Sequence, residues 1–229
     1  MKKINLAIIP ARSGSKGIKD KNILLINKKP LLAYTIEAAI KSKCFDIVFV
    51  STDSKKYAEI AKKYGANVDF LRSKKNSLDT SKTIDSVIEV VENFKKKDIY
   101  CETVTLLQPT SPLRDENDIK NAFKIYRNKK ADSVISVCES SHPTFLYNTL
   151  KKGNSLHNFI ANKDLHKLRQ DVSKEYYVNG AIYILKPSKR YEYYGPKSYA
   201  YLMSKNHSVD INDLFDAKLA EFLLSNRKW

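Results

Sequence analysis

Ile4-Asn5-Leu6-Ala7-Ile8-Ile9, followed at once by Pro10-Ala11-Arg12-Ser13-Gly14-Ser15-Lys16-Gly17, is the stretch whose reading decides the architecture. An apolar run of this length, running straight into a basic, glycine-containing loop, reads as a strand covered on both faces in a parallel sheet. Beyond the loop, Pro30 stands at a favoured helix start, and Leu32, Ile36, Ala39 and Ile40 recur at helical spacing, which predicts a helix over 31–42. Strand, loop and helix together form the opening of an α/β unit.

The pattern then repeats. Residues 46–50 read as a second buried strand, 55–64 as a helix closed by Gly65, 67–71 as a strand, and 84–94 as a helix with Ile84, Val87, Ile88 and Val91 on one face. A strand at 103–107, a helix at 117–126 and a strand at 133–137 follow. This alternation predicts a doubly wound α/β fold with a mostly parallel sheet. In such sheets ligands bind beyond the carboxyl ends of strands, so the loops after Ile9 and Leu107 are the places to search. Between 139 and 178 the periodicity lapses, as expected of an inserted arm. Strands return at 180–185 and 199–203, and the chain closes on a helix over 214–225 that should turn Phe215, Leu219, Phe222 and Leu223 inward. Residues 1–229 thus read as one domain carrying an arm at 139–178.

The 229 residues carry a net charge of +16, from 41 basic against 25 acidic side chains. The lysines are scattered as pairs in turns and at helix ends, where they complement helix dipoles. Aromatic residues do not interleave with them in a nucleic-acid-binding pattern, so no nucleic-acid partner is expected. No apolar stretch is long enough to span a bilayer, and Met1-Lys2-Lys3 leads into a run too short for a secretory signal. Cys44, Cys101 and Cys138 lie far apart with no metal spacing. A cytoplasmic protein with reduced thiols and no membrane partner is the expectation.

Two of the six glycines, Gly14 and Gly17, fall in the loop after the first strand. Without a Cβ the backbone there can approach a phosphate and offer its N–H groups. Arg12 can grip phosphate oxygens as a fork, while Lys16 and Lys21 act as point charges. The loop is neither GxxxxGK[ST] nor GxGxxG, which argues against a P-loop ATPase and a nicotinamide dehydrogenase.

Pro10 to Gly17 followed by Lys21-Asn22 resembles the signature of the acylneuraminate cytidylyltransferases, the CMP-sialic acid synthetases. Three further segments match that family in order: Leu106 to Arg114 (LLQPTSPLR), Asn179-Gly180-Ala181-Ile182-Tyr183, and Ser208-Val209-Asp210-Ile211-Asn212. The resemblance spans essentially the whole chain. It implies a Rossmann-like nucleotidyltransferase fold, a homodimer made through the arm, dependence on Mg2+, and transfer of CMP from CTP to a nine-carbon 2-keto-3-deoxy sugar acid, N-acetylneuraminate being favoured. Legionaminate, pseudaminate or another nonulosonate is the alternative. By the same resemblance Arg12, Ser13, Gly14, Ser15, Lys16, Lys21 and Asn22 would contact the triphosphate or ribose. Arg72, Ser81 and Thr83 would lie near the cytosine and its ribose.

On the sugar side, Gln108 at a strand end, in a loop stiffened by Pro109 and Pro112, can present its amide rigidly, although it could instead bridge loop backbone. Arg114 reads more readily as a helix-start or loop salt bridge. Arg169 is the candidate to pair with the sugar carboxylate. Asn179 and Tyr183 flank Ala181 at two-residue spacing, so strand alternation would put them on one face, though Tyr183 could equally be core. The sequence departs from several sialic-acid members in carrying Tyr177 where they have Arg.

Asp210 and Asn212, one residue apart, would project to the same side of an extended backbone and offer hard oxygens to Mg2+, with Asn212 the weaker ligand where the family more often has Asp. Asp213 reads as the N-cap of the last helix, with Asp216 in its first turn. His142, His157, His166 and His207 are not at metal spacing; His207 lies closest to the expected metal strand. A nucleotide-binding subunit without catalysis is the remaining rival.

Overall fold

The computed structural model describes residues 3–14, 17–168, 172–188 and 191–226. Six strands form one sheet: β1 (Lys3–Pro10), β4 (Ile47–Ser51), β5 (Tyr100–Leu106), β6 (Ser133–Glu139), β7 (Tyr176–Leu185) and β8 (Ser198–Leu202), in the order β4-β1-β5-β7-β6-β8. β1 pairs in parallel with β4 and β5, and β6 in parallel with β8. β7 runs antiparallel to both of its neighbours. It follows the arm rather than a crossover helix, and a return without a helix leads naturally to antiparallel pairing. β2 (Leu25–Ile26) and β3 (Lys29–Pro30) make a small hairpin whose two turn residues, Asn27 and Lys28, adopt φ of 47° and 62°.

Period-two alternation along β1 sorts its side chains onto two faces. Ala7 and Ile9 join a core that includes Leu32 and Ile36 of α1 (Leu31–Ser42), Tyr57 and Ala61 of α2 (Lys55–Lys63), and Ile119 and Phe123 of α4 (Glu116–Asn128). Leu6 and Ile8 face the other way, against Val87, Val90 and Phe94 of α3 (Thr83–Lys95). The strands are therefore covered on both sides, which is why they read as near-continuous apolar runs. Ser54, Asp115 and Asp213 cap α2, α4 and α5 (Leu214–Ser225) by accepting the first free backbone N–H groups.

Three expectations are corrected. Residues 67–71 do not form a strand: Asn67 makes one isolated bridge to Phe49, and the chain then leaves the sheet with Leu71 39% exposed. The last helix is turned the other way round. Ala217 and Ala220 pack against Ile26, Leu31 and Ile211, while Phe215 and Phe222 are 75% and 60% exposed. Its rotation is set by polar contacts, because Asn27 donates to Glu221 and Ser225 and fixes that flank of the helix on the hairpin. Finally, Asn179 and Tyr183 do not share a face. The pairing of β6 with β7 slips between Ile135 and Val137, and Gly180 takes φ +77°, so the bulge breaks the alternation. The segment 140–175 between β6 and β7 holds short 3-10 turns, and Ser140 donates to the Glu175 carbonyl at its base.

Candidate active site

β1, β4, β5, β6 and β8 all end at one edge of the sheet, and the loops leaving them build two adjoining cavities. The first is a cleft of about 450 Å³. Arg12, Gly17, Lys21 and Asn22 line one wall; Asn76, Leu78, Ser81, Lys82 and Thr83 line the other; Arg72, Gln108 and Thr110 lie between. Of the residues expected to hold a nucleotide, Arg12, Lys21, Asn22, Arg72, Ser81 and Thr83 are thus brought together. Ser13 and Gly14 are outside the lining, and Ser15, Lys16 and Arg169 lie outside the described residues.

The basic loop is held by specific bonds as well as by the burial of Ala11 in the core. Ala11 N–H donates to the Ser51 carbonyl at the end of β4, and Ser13 gives both its N–H (2.8 Å) and its hydroxyl (3.0 Å) to Asp53. Asn22, which is buried, donates to the Arg12 carbonyl at 3.0 Å and so supports the loop from beneath. Lys21 reaches across to the Ile211 carbonyl at 2.9 Å, and Arg12 pairs with Asp79. Asp53 and Asp79 had no local signature in the sequence. Asp53 lies two residues beyond the end of β4, and position past a strand end is the one rule that could have flagged it.

Arg72 is buried, donates to the Ser51 hydroxyl and carbonyl, and has its pKa lowered to about 10 by burial, with Asp53 and Glu89 acting in the opposite direction. It remains a cation at neutral pH. Ser81 uses its hydroxyl within its own loop, donating to the Lys75 carbonyl.

The second cavity, about 590 Å³, is walled by Tyr177, Asn179, Gly180, Ser208, Asp210 and Leu219, among others, and shares Gln108 and Asn212 with the first. Gly180 lets the Gln108 amide lie close: a Cβ there would stand 3.2 Å from Gln108 Oε1. Asn179 is buried and works inside the fold, accepting from Ser136 (2.6 Å) and donating to Ser208 (2.9 Å), which ties β7 to the 208–212 segment. Tyr183 packs edge-on against Tyr193 beside the core under α3 and lines neither cavity. Its phenol is pushed up to about 12, chiefly by burial. Tyr177 is half-exposed, and burial, Cys138 and Asp210 push its phenol up to about 12.

Arg114 was expected in a helix-start or loop salt bridge. Instead it is 1% exposed and donates to the Gln108 carbonyl (3.2 Å), the Ala181 carbonyl (2.9 Å) and the Thr35 hydroxyl (2.5 Å). Burial lowers its pKa to about 10. A buried fork of donors is therefore what fixes the backbone on either side of Gln108 and Gly180.

Asp210 carries the feature that points to a cation. Its Oδ1 is buried and has no hydrogen-bond partner among the described residues, while Oδ2 accepts from Asn212 Nδ2 at 3.2 Å. A buried anionic oxygen left without a donor fits a hard divalent ion such as Mg2+, with the Asn212 amide close enough to support it. A second group of potential ligands, Asp115, Asp118 and His207, is occupied differently. Asp115 and Asp118 form the capping box of α4, and Asp118 also accepts from Tyr201 and pairs with His207 at 2.7 Å, three residues before Asp210. These bonds brace the segment that delivers Asp210.

A doubly wound sheet with a basic loop off its first strand, and a second cavity opening beside it, is the nucleotidyltransferase type of α/β fold. Solved structures agree. A CMP:2-keto-3-deoxy-manno-octonic acid synthetase complexed with CTP superposes with a TM-score of 0.69, at 14% identity over 98% of this chain and 99% of that one. The cytidylyltransferase family model matches residues 6–223, and the chain belongs to that family.

An N-acylneuraminate cytidylyltransferase of Escherichia coli O18:K1:H7 is 39% identical over 94% of this chain and 51% of its own length. The chain thus spans about half of that relative. The CMP-N,N'-diacetyllegionaminic acid synthase of Legionella pneumophila is 38% identical over 96% of this chain and 95% of its own. A pseudaminic acid cytidylyltransferase of Campylobacter jejuni is 32% identical over 96% and 95%.

Proposed function

We propose that the protein transfers CMP from CTP to the anomeric hydroxyl of a nine-carbon 2-keto-3-deoxy sugar acid, releasing pyrophosphate. The observation that carries this is the pair of adjoining cavities sharing Gln108 and Asn212, one walled by cations, the other bordered by Asp210. Such an arrangement suits a polyphosphate on one side and a polyhydroxylated acceptor on the other. The relatives' names supply the two substrate classes.

In this reading Arg12, Lys16 and Lys21 take up charge on the phosphate oxygens as the bond between the α-phosphorus and pyrophosphate breaks in line with the attacking 2-hydroxyl. Gln108, locked from behind by Arg114 and Gly180, orients the sugar. Arg169 pairs with its carboxylate. Asp210, with Asn212, would hold Mg2+, which neutralises charge on the substrate phosphates when bound. Half-exposed Tyr177, with its phenol protonated at neutral pH, offers an O–H donor where an arginine would offer a charge, so the acyl pattern of the sugar is set by shape and hydrogen bonding. N-acetylneuraminate is favoured, with legionaminate and pseudaminate as alternatives.

The protein acts as a homodimer in a reducing cytoplasm. Supporting this are three free thiols and an unusual density of exposed apolar side chains on the 140–175 arm (Leu150 60%, Leu156 65%) and on the outer face of α5. A monomer by light scattering at assay concentration would contradict the dimer.

The test is pyrophosphate release from CTP and Mg2+ with a panel of nonulosonates. Turnover of one member identifies the sugar. CTP binding without turnover of any would favour a non-catalytic subunit, and absence of both would sink the reading.

A further inference from the structure

The segment 73–82, which follows α2 and leads into α3, is a strap rather than a tail. Glu89 on α3 accepts from the Ser73 N–H (2.8 Å), the Ser73 hydroxyl (3.1 Å) and the Asn76 amide (2.5 Å), and the Asp85 carboxylate accepts from Lys82 N–H at 3.0 Å. Both ends are therefore moored to one helix. Between them lie Leu78, Asp79 and Thr80; Leu78 lines the cleft, and Asp79 Oδ1 meets Arg12 Nη1 at 2.5 Å. Strap and basic loop both line the same cavity, and this ion pair joins them across it.

We propose that Asp79 is a resident counter-anion for Arg12, occupying the guanidinium until the phosphates of the incoming nucleotide displace it. This rests on the cytidylyl-transfer reading of the cleft. Arg12 can present its fork either to a carboxylate or to a phosphate, and both anions need the same donors. Displacement turns this middle stretch of the strap away from the loop while its moorings on Glu89 and Asp85 stay in place. When pyrophosphate departs, Asp79 returns to Arg12 and competes against its rebinding. The pair is partly exposed, 31% on the Arg12 side chain and 44% on Asp79, so its hold is weak enough for a polyphosphate to break.

Titrating wild type and Asp79→Asn with CTP, pyrophosphate and cytidine separates this from a structural role. Asp79→Asn should bind CTP and pyrophosphate about two- to fivefold more tightly, the range set by an ion pair of this exposure. Cytidine, which has no phosphate, should bind both forms equally. The gain should vanish in an Arg12→Ala background, because the Asp79–Arg12 contact that the phosphates displace is then absent. Equal or weaker CTP binding by Asp79→Asn overturns the proposal. So does a shift shared by cytidine, or a gain that persists without Arg12. Wild type failing to bind CTP at all would instead overturn the cytidylyl-transfer reading on which this stands.

Discussion

Gly180 brings β7 close enough to Gln108, which lines both cavities, for one methyl group to separate stability from function. Its φ is +77°, and the Cβ of an alanine would lie 3.2 Å from Gln108 Oε1 and 3.6 Å from its Cδ. A left-handed conformation costs an L-residue about 1–2 kcal/mol. Reduced freedom of the unfolded chain returns roughly 0.4–1 kcal/mol. Gly180→Ala should then lose about 1 kcal/mol, a fall in Tm of about 2–4 °C for a chain of this size. Gly153 provides the matched control, since it has φ +78° and nothing within 4 Å of an added Cβ. Both variants pay the backbone term. Only Gly180→Ala must also move Gln108, whose backbone Arg114 pins in place, so the amide itself has to shift. Misplacing a positioning group by 1 Å can cost ~10²-fold in rate, and a shift of a few tenths of an ångström should raise KM for the sugar, or lower kcat, by about tenfold. Melting curves and steady-state kinetics on the two variants are the assay. Equal kinetics in Gly180→Ala and Gly153→Ala would refute the role given to Gln108.

Asp210→Ala should abolish turnover with little change in Tm, because its buried Oδ1 takes no part in holding the fold. Asp213→Ala should cost about 1 kcal/mol by uncapping α5 and leave the chemistry intact; the opposite pattern would show ligand and cap to be exchanged. Burial acts to raise the Asp118 pKa, but its bonds from His207, the Asp115 N–H and Tyr201 outweigh that and hold it below the usual carboxylate value. The stability this carboxylate contributes is thus fully present above its ordinary pKa and lost as pH falls through the depressed folded value. Asp118→Asn should flatten that acid limb in melting curves taken from pH 6 downward, and an unchanged limb would count against it.

The elements that read correctly were those with strong periodicity and local punctuation. β1 and β4 are buried on both faces, and the α4 and α5 starts carry Asp caps that act within four residues. Residues 67–71 misled because Val68, Phe70 and Leu71 look like strand, yet only Asn67 reaches the sheet edge. The direction of α5 was hidden because its large apolar residues were assumed to face inward, whereas two alanines and the Asn27 contacts decide the rotation. At the site, Arg12, Lys21 and Asn22 were legible as cleft-lining residues from their place just after the first strand, whereas Gly14 is not in the lining. Asp53, Asp79 and the buried fork of Arg114 were not legible, since each acts on a partner dozens of residues away. Only the folded chain brings such pairs together.

Because β7 runs against its neighbours, the 140–175 segment leaves β6 and re-enters the sheet at the same edge, next to the site, with Ser140 and Glu175 joined at its neck. Lengthening a closed excursion of that kind costs little, since loop-closure entropy grows only logarithmically with length. If CMP transfer is the reaction, such a segment can be recast for a different acceptor while the paired strands beside it keep their register.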